Sequence, residues 1–382
     1  MARKKKVAAQ QAARRGVAAR SSPAPKGTVE ALRRQIDRID EEIVEKLNER
    51  AAVAWEVGRL KNDAGQSVYA PKREQEVIDR TIRLSAGPLR DECIRAVFRE
   101  LISGSRAVEE PLRVAFLGPE FSFSHIASIH RFGQSAELVG VATIAAVFDE
   151  VQRGQARYGV VPVENSTDGR VSDTLEMFAE TRVKICGEVP LRVHHCLLGS
   201  GSRSGVREVA SKPQALSQCR NWIAKHLPDA RTVEVASTAA AARRAQRSQT
   251  TAAIASYQAG VNHQLDVLAR NIEDNPGNLT RFAVIGSAPA DRTGTDKTSL
   301  VFEIPHRAGA LADVTAIFKR QQLNMTWIES YPIRGATGRY LFFIEFLGHQ
   351  DDLRARRAIQ ALAKKAVRLE VLGSYARMQP IE

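Results

Sequence analysis

The chain has 382 residues, 43% of them hydrophobic and 26% charged, and a formal net charge of +13. This is the composition of an ordinary globular protein, and the length allows two or three domains with separate cores. Because no run of about 18 apolar residues occurs, we expect neither a membrane span nor a signal peptide.

Much of the positive charge lies at the N-terminus. Residues 1–26 contain eight Lys and Arg, no acidic residue and few large hydrophobic residues. Such a segment cannot bury enough apolar surface to fold, so we predict a disordered basic tail. A solvated extension is the preferred interpretation, and contact with nucleic acid or an organelle transit peptide are the alternatives.

The cysteines predict a reducing compartment. None of the four forms a CxxC pair, so we expect free thiols and a cytoplasmic protein. The stretch His194-His195-Cys196 is predicted to lie in a strand, where successive side chains face opposite ways and cannot close on one ion. We therefore expect no metal site there.

The first predicted domain, residues 27–110, is all helical. Residues 28–62 contain no proline, and their apolar residues recur at helical spacing, which predicts one helix of roughly 35 residues and about 50 Å. Such a length suggests a partner helix, in the same chain or in another. Two shorter helices are predicted over residues 71–84 and 87–108.

The second predicted domain, residues 111–290, alternates strands and helices, and we expect an α/β fold with a mainly parallel sheet. Predicted strands include residues 113–117, 193–198 and 252–255. Residues 159–171, GVVPVENSTDGRV, form an apolar strand that runs into six polar or flexible residues. Ligands of such sheets usually bind beyond the carboxyl ends of strands, so this stretch is predicted to bind something polar.

A polar linker, residues 288–296, precedes the third predicted domain, residues 297–382. Its pattern of strand, helix, strand, strand, helix and strand is the ferredoxin-like α+β order. The predicted strands cover residues 299–304, 325–331, 340–347 and 369–375, and the predicted helices cover 310–320 and 352–365.

Cationic residues on the long helix indicate an anionic ligand. Arg50 and Lys61 are eleven residues apart and lie on one helix face, where both side chains could reach one small anion. Arg33 is 17 residues before Arg50, about 25 Å along the axis. Arg33 is therefore either a plain surface charge or part of a site built by a second chain.

The helical domain resembles the all-helical chorismate mutases over about 80 residues. The stretches that carry the resemblance are ALRRQIDRID at 31–40, LNER at 47–50, VGRLK at 57–61, PKRE at 71–74 and FRELIS at 98–103. The resemblance implies an intertwined dimer that holds a compact conformer of chorismate and stabilises charge on the ether oxygen, giving prephenate. The implied contacts are Arg33 and Arg50 at the carboxylates, Glu74 at the hydroxyl, Lys61 and Glu109 at the ether oxygen, and Arg73 and Ser105 at the pocket wall.

Two positions depart from the mutase pattern. The family often has Gln where this chain has Glu109, and a carboxyl group can donate a hydrogen bond there only when it is protonated. We therefore predict that mutase activity falls as the pH rises above neutrality and that Glu109→Gln flattens this dependence. Some members have Asp where this chain has Ala70, so one contact is expected to be missing.

The second domain resembles the prephenate dehydratases. The stretches are FLGPEFSFS at 116–124, VVPVENSTDG at 160–169, HHCLL at 194–198, KPQA at 212–215, STAA at 237–240 and NLTRF at 278–282. The resemblance implies two α/β lobes of the periplasmic-binding-protein kind, with prephenate in the cleft between them. There, prephenate loses water and carbon dioxide to give phenylpyruvate.

The implied dehydratase contacts are Ser124, Asn165, Ser166, Thr167, Thr280 and Arg281. The role implied for Thr280 is to help hydroxide leave, and we expect it to act as a hydrogen-bond donor because a hydroxyl is too weak an acid to transfer its proton freely. Arg281 is implied to supply positive charge nearby, with packing within the lobe as an equal alternative. The family's common Gly-Thr is here Phe121-Ser122, and Lys212 replaces a frequent His.

The third domain resembles ACT regulatory domains of the phenylalanine-sensing type, through RAGAL at 307–311 and ESYP at 329–332. The resemblance implies L-phenylalanine as effector, with its carboxylate at free N–H groups of a helix start. The common Arg of the second motif is here Tyr331, which leaves the strength of feedback open, and a structural dimerisation module is the alternative. The implied effector contacts are Gly309, Ala310, Leu311, Glu329 and Ser330.

Together the resemblances imply a bifunctional chorismate mutase/prephenate dehydratase of phenylalanine biosynthesis. We expect a homodimer or higher homo-oligomer that needs neither a metal nor an organic cofactor. One alternative is a chain in which one catalytic domain is inactive. The other is a ligand-responsive nucleic-acid binder, against which the sequence contains no helix-turn-helix or other reading module.

Overall fold

The computed structural model describes residues 28–63, 71–109, 111–333 and 338–381. The predicted basic tail and Ala70 lie outside these ranges. The chain divides into two compact units, Met1–Val53 and Ala54–Glu382. Within the described ranges, no helix is long and apolar enough to cross a membrane.

Three helices come first, and their bounds confirm the predicted ones to within four residues: α1 (Val29–Asp63), α2 (Pro71–Leu84) and α3 (Asp91–Glu109). Thr28 begins α1, since its Oγ1 accepts a hydrogen bond from the backbone N–H of Ala31 at 3.3 Å. The apolar stripe of α1 faces solvent: Ile36 is 56% exposed, Ile43 49% and Leu60 62%. An exposed stripe of this length is typical of a helix that pairs with another.

The first lobe of the next part has a six-stranded mixed sheet of order β2-β1-β3-β11-β5, with β4 paired to β3. Only β2 and β3 run parallel to β1, whereas β11 runs antiparallel to both β3 and β5. The prediction of a mainly parallel sheet is wrong here, because β11 returns from the second lobe in the opposite direction. The strands are β1 (Arg113–Leu117), β2 (Glu137–Val141), β3 (Tyr158–Asn165), β4 (Gly169–Arg170), β5 (Lys184–Arg192) and β11 (Leu279–Gly286), and the helices are α4 (Phe123–Phe132), α5 (Ile144–Gln152) and α6 (Ser172–Glu180).

The second lobe is inserted between β5 and β11 and has a five-stranded sheet of order β10-β6-β9-β7-β8. This sheet is also mixed, with β7 parallel to β8 and β9, and β6 antiparallel to β9 and β10. The strands are β6 (Cys196–Gly199), β7 (Glu208–Ser211), β8 (Arg231–Glu234), β9 (Thr251–Ala255) and β10 (Asp266–Ala269), and the helices are α7 (Pro213–Gln218), α8 (Arg220–His226), α9 (Thr238–Gln246) and α10 (Tyr257–Asn262).

The chain crosses between the two lobes twice, and the crossings bond to each other. The backbone N–H of Val193 donates to the carbonyl of Asn278 at 2.8 Å, and that of Ile272 donates to the carbonyl of His195 at 3.0 Å. The prediction of a strand over residues 193–195 is therefore wrong, since β6 begins only at Cys196. These residues serve as a connection because their backbone groups pair with the second crossing rather than with a sheet.

The third part confirms the ferredoxin-like order. Its sheet, β13-β14-β12-β15, is antiparallel throughout. One face packs on its two helices, while Val301 and Phe343 on the other face share a buried core with Phe148 and Phe178 of the first lobe. The elements are β12 (Asp296–Glu303), α11 (Ala310–Arg320), β13 (Met325–Pro332), β14 (Tyr340–Leu347), α12 (Leu353–Ala363) and β15 (Arg368–Ala376).

Candidate active sites

Asn165, the last residue of β3, holds a group of polar side chains together. Its Nδ2 donates hydrogen bonds to Thr280 Oγ1 at 2.8 Å and to Asn278 Oδ1 at 2.9 Å. Its Oδ1 accepts from the backbone N–H groups of Thr167 at 2.9 Å and Asp168 at 3.0 Å, which closes the turn after the strand. Both donors and both lone pairs of the amide are engaged, so the side chain is held in one orientation.

Thr280 faces Asn165 from the neighbouring strand β11, at the opposite position of the antiparallel register. Because the Thr280 oxygen accepts the Asn165 hydrogen bond, its own proton must point elsewhere. No residue in the described ranges accepts that proton, and the side chain is only half-buried. Within the described residues, the hydroxyl therefore accepts one hydrogen bond and leaves its proton for another acceptor.

Gln218 connects the second lobe to this group of side chains. Its role was not predicted from the sequence. At the end of α7, its Nε2 donates to Asp168 Oδ2 at 2.7 Å. Its Oε1 accepts from Asn278 Nδ2 at 3.1 Å and bonds to His195 Nε2 at 2.8 Å, so the His195 proton lies on Nε2. Burial lowers the pKa of His195 although the Gln218 hydrogen bond raises it, which keeps this buried ring neutral. The KPQA motif, which ends one turn earlier, was the available signal.

Ionisable groups border the cluster. Glu273 Oε1 lies 2.7 Å from His194 Nδ1, and Glu273 Oε2 accepts a 2.8 Å hydrogen bond from the backbone N–H of His195. Glu273 therefore holds the first crossing in place. Burial lowers the pKa of Lys212, while the nearby carboxylate of Asp168 raises it. Across the described ranges, no three His, Cys, Asp or Glu side chains gather as a metal site would require.

The remaining predicted residues of the first lobe differ in their surroundings. Ser166 Oγ accepts from the backbone N–H of Leu279 at 2.9 Å and so ties the turn to the start of β11. Thr167 Oγ1 donates to Asn278 Oδ1 at 3.3 Å. Ser124 is buried within α4. Phe121, which stands where the family has Gly, adopts a left-handed φ of 63° that glycine accommodates more easily, and Ser256 of the second lobe donates to its carbonyl at 2.9 Å.

Arg281 is placed differently from the prediction. Thr280 and Arg281 are neighbours on one strand and face opposite sides of the sheet. The guanidinium of Arg281 pairs with Glu345 of β14 and with Glu164 at 3.3 Å, and it lies over the ring of Trp327 at 5.0 Å. The structure therefore does not bring Arg281 together with the Thr280 hydroxyl, because the guanidinium is directed to the third part of the chain.

The predicted mutase residues of the second unit fall into two groups. In the first, the end of α3 lies against α1: a Cβ atom on Gly58 would be 2.7 Å from Glu109 Oε2, so this approach requires glycine. Lys61, half-buried, follows Gly58 by one helical turn. Glu109 and Lys61 thus occupy the same end of the helical part.

The second mutase group centres on Arg106, which the sequence analysis missed. Glu74 pairs with Arg106 Nη1 at 3.0 Å, and Arg106 Nη2 donates to the carbonyl of Phe132 at 2.7 Å. The Arg106 side chain is 7% exposed. Ser105 Oγ donates to the carbonyl of Leu101 at 2.8 Å, and Arg73 makes an exposed 3.5 Å contact with Glu76. In the first unit, Arg33 is exposed on α1 and Arg50 is half-buried.

The predicted effector residues occupy α11 and β13. Gly309 precedes α11 with a left-handed φ of 78°, and Ala310 and Leu311 form the first turn of the helix. Glu329 Oε2 accepts from Arg170 Nη1 at 3.1 Å, and the same Nη1 donates to the carbonyl of Ser330 at 3.0 Å. The effector segment of β13 therefore contacts β4 of the dehydratase-like part. The sequence contained no signal for this contact.

Comparison with known proteins assigns a family description to each part. Residues 32–110 match chorismate mutase type II, residues 114–290 match prephenate dehydratase, and residues 298–364 match the ACT domain. A solved prephenate dehydratase from Arthrobacter aurescens, in complex with L-Phe, superposes with a TM-score of 0.65 and 32% identity over 69% of this chain and 89% of that chain. The chain is therefore of the class that joins a helical mutase part, a two-lobed dehydratase part and an ACT part.

Two bifunctional relatives are similar to this chain along almost their whole length. The bifunctional chorismate mutase/prephenate dehydratase of Aquifex aeolicus is 41% identical over 91% of this chain and 97% of that protein. That of Neisseria gonorrhoeae is 43% identical over 90% and 95%. The chain belongs to the bifunctional chorismate mutase/prephenate dehydratase family. The predicted family is confirmed, and the chain is an enzyme rather than a nucleic-acid-binding regulator.

Proposed function

We propose that residues 27–110 convert chorismate to prephenate and that residues 111–290 convert prephenate to phenylpyruvate, carbon dioxide and water. Residues 297–382 bind L-phenylalanine and reduce the second activity. The observation that carries the dehydratase assignment is the hydrogen bond from Asn165 to Thr280, because it leaves the threonine proton directed to a ligand.

Thr280 acts on the leaving hydroxyl of prephenate. Loss of carbon dioxide supplies the electron pair that forms the aromatic ring, and the leaving oxygen accumulates negative charge as its bond to carbon breaks. A donor fixed beforehand by Asn165 stabilises that charge without reorganisation in the transition state. Asn278 supports the arrangement, since it bonds both Asn165 and Gln218.

The carboxylates of prephenate meet neutral donors and one lysine. Ser124, Ser166 and Thr167 remain the proposed neutral contacts from the first lobe. Lys212, from the second lobe, supplies the positive charge that the sequence analysis assigned to Arg281. The carboxylate of Asp168, in the turn that Asn165 closes, raises the pKa of Lys212, and this interaction supports the proposed role.

The mutase site is proposed to be completed by a second chain. The exposed stripe of α1 forms the contact between two copies, and Arg33 crosses that contact to join Arg50, Lys61 and Glu109. Arg73, Glu74 and Ser105 line the same pocket, and Glu74 leaves Arg106 when it binds the substrate hydroxyl. We propose a cytoplasmic homodimer, which agrees with four free cysteines.

Chorismate turnover tests these proposals together. The purified chain is given chorismate, and prephenate and phenylpyruvate are followed with and without L-phenylalanine. We expect prephenate first, then phenylpyruvate, with the second step slowed by L-phenylalanine. Thr280→Val should lower phenylpyruvate formation about 10²- to 10³-fold and let prephenate accumulate, because one fixed donor is lost. Thr280→Ser, the matched control, keeps the donor and most of the rate. Wild-type phenylpyruvate formation by Thr280→Val would refute the assignment.

A further inference from the structure

One side chain links the turn that holds Asn165 to the predicted effector segment. Arg170 Nη1 donates to Glu329 Oε2 at 3.1 Å and to the carbonyl of Ser330 at 3.0 Å. Arg170 is the second of the two residues of β4, which pairs with the end of β3. In that register Gly169 lies opposite Asn165. The contact with β13 is therefore made by the strand that ends the Asn165 turn.

Strand β4 is linked to the Asn165 amide by the turn that follows β3. The turn between β3 and β4 is closed by the Asn165 side chain itself, which accepts from the backbone N–H groups of Thr167 and Asp168. The same amide holds Thr280 Oγ1 at 2.8 Å. A displacement of this exposed two-residue strand is therefore passed by hydrogen bonds to the Thr280 hydroxyl, without needing a change in the buried sheet.

The surroundings make Arg170 adjustable. Its side chain is 39% exposed and that of Glu329 is 25% exposed, so water can replace their contact at little cost. By contrast, Arg281 links the partly exposed Glu164 of β3 to the buried Glu345 of β14. The connection through Arg281 and Glu345 is thus buried, whereas the connection at Arg170 is open to competition by a ligand.

We propose that Arg170 is a positioning residue that couples L-phenylalanine bound at Glu329 and Ser330 to Asn165 and Thr280 of the same chain. This inference rests on the proposed function. A ligand that engages Glu329 or Ser330 competes for the acceptors of Arg170, so β4 and the turn take a different position when the effector is bound. An effector changes activity only through such differential contacts. Binding coupled in this way is reciprocal: bound prephenate lowers the affinity for L-phenylalanine by the same factor as bound L-phenylalanine lowers the affinity for prephenate.

Lys184 provides a matched control. Its Nζ pairs with Glu370 at 3.2 Å and donates to the carbonyl of Val371 at 2.8 Å. It therefore joins the same two parts of the chain by the same kinds of contact, one carboxylate and one carbonyl. Lys184 lies on β5 and contacts β15, away from both the Asn165 turn and the effector segment.

The experiment measures coupling in the full-length chain. Prephenate turnover is measured with and without saturating L-phenylalanine, and L-phenylalanine binding is measured separately by calorimetry. In the wild type we expect kcat/KM to fall by a factor in the usual allosteric range of about 5 to 150. In Arg170→Ala the factor should drop to about two or less, while calorimetry still detects binding. Arg170→Lys should keep most of the coupling, and Lys184→Ala should keep all of it.

Each other outcome overturns a defined statement. Wild-type coupling in Arg170→Ala contradicts the inference, as does an equal loss in Lys184→Ala, which would indicate general docking of the two parts. Loss of L-phenylalanine binding in Arg170→Ala would make the arginine a ligand contact instead. A wild-type chain that fails to turn over prephenate refutes the proposed function, and the inference fails with it.

Discussion

Replacing Glu345 with Gln removes one of two buried anions, the other being Glu188, where the ACT sheet meets the dehydratase sheet. The Glu345 side chain is 3% exposed and pairs with Arg281 and with Lys297, the latter at 3.0 Å. It also accepts from Ser299 Oγ at 3.2 Å and Tyr375 OH at 2.9 Å. Gln has nearly the same shape, so the substitution changes charge and leaves packing almost unchanged.

The structure allows the cost to be worked out in two ways. Burial raises the pKa of Glu345, but Arg281 and Lys297 outweigh it and bring the pKa to about 2, from an ordinary value of 4.5. At 1.36 kcal/mol per pKa unit, that shift corresponds to about 3 kcal/mol of stability. Independently, removing one partner of a buried ion pair costs about 3–5 kcal/mol. We expect Glu345→Gln to lower the free energy of unfolding by about 3 kcal/mol.

Urea unfolding at pH 7, followed by circular dichroism, measures this difference. Glu370→Gln is the control, because the Glu370 pair with Lys184 is partly exposed and should be worth at most about 1 kcal/mol. Since the pKa of Glu345 is lower in the folded state, its stabilisation is complete above about pH 4.5 and is lost as the pH falls towards 2. The gap between wild type and variant should narrow in that window. A gap below about 1 kcal/mol at pH 7 would refute the reasoning.

Two further predictions concern the helical part, and a third concerns His130 in helix α4 of the first lobe. Gly58→Ala should lower mutase kcat/KM at least tenfold, because the new Cβ would lie 2.7 Å from Glu109 Oε2 and displace it. The control Gly87→Ala, where the new Cβ has no atom within 4 Å, should leave both activities unchanged. Loss of prephenate turnover in Gly58→Ala as well would point to unfolding. Glu109→Gln should flatten the fall of mutase activity above neutral pH, and an unchanged profile would contradict the role of a protonated carboxyl group. Burial and then the charge of Arg99 lower the pKa of His130 to about 4, so its NMR resonance should titrate near that value, and a midpoint near 6.5 would contradict the contact between Arg99 Nη1 and His130 Nδ1.

Most elements followed from periodicity and turn residues. The helix over residues 310–320 and the strand over residues 340–347 have the predicted bounds, because each carries a clear apolar period between turn signals. Residues 193–195 were misread as the start of the strand at Cys196, because a run with no turn residue looks the same in a strand and in a connection. The sheet direction was misread because it depends on where β11 re-enters the first lobe, which no local pattern records.

The site residues were harder to predict from the sequence than the helices and strands. Asn165 and Thr280 could be predicted together from family motifs, and their contact at 2.8 Å agrees with that pairing. Gln218 and Arg170 could not, because their partners are 23 to 160 residues away along the chain. An amide or an exposed arginine also has no distinctive sequence pattern. The placement of Arg281 could be predicted in part, since successive residues of a strand face opposite sides of the sheet and Arg281 follows Thr280.

The contacts of the dehydratase part and of the ACT part both depend on which residues of strand β11 face each side of the sheet. Thr280 on one side meets Asn165, and Arg281 on the other side meets Glu345. Insertion or deletion of a single residue just before Thr280 would exchange the two faces and place the guanidinium among the amides and the hydroxyl beside a buried carboxylate. The contacts of Thr280 with Asn165 and of Arg281 with Glu345 would both be lost, although all four residues would still be present in the sequence. This stretch is therefore constrained in length as strictly as in composition.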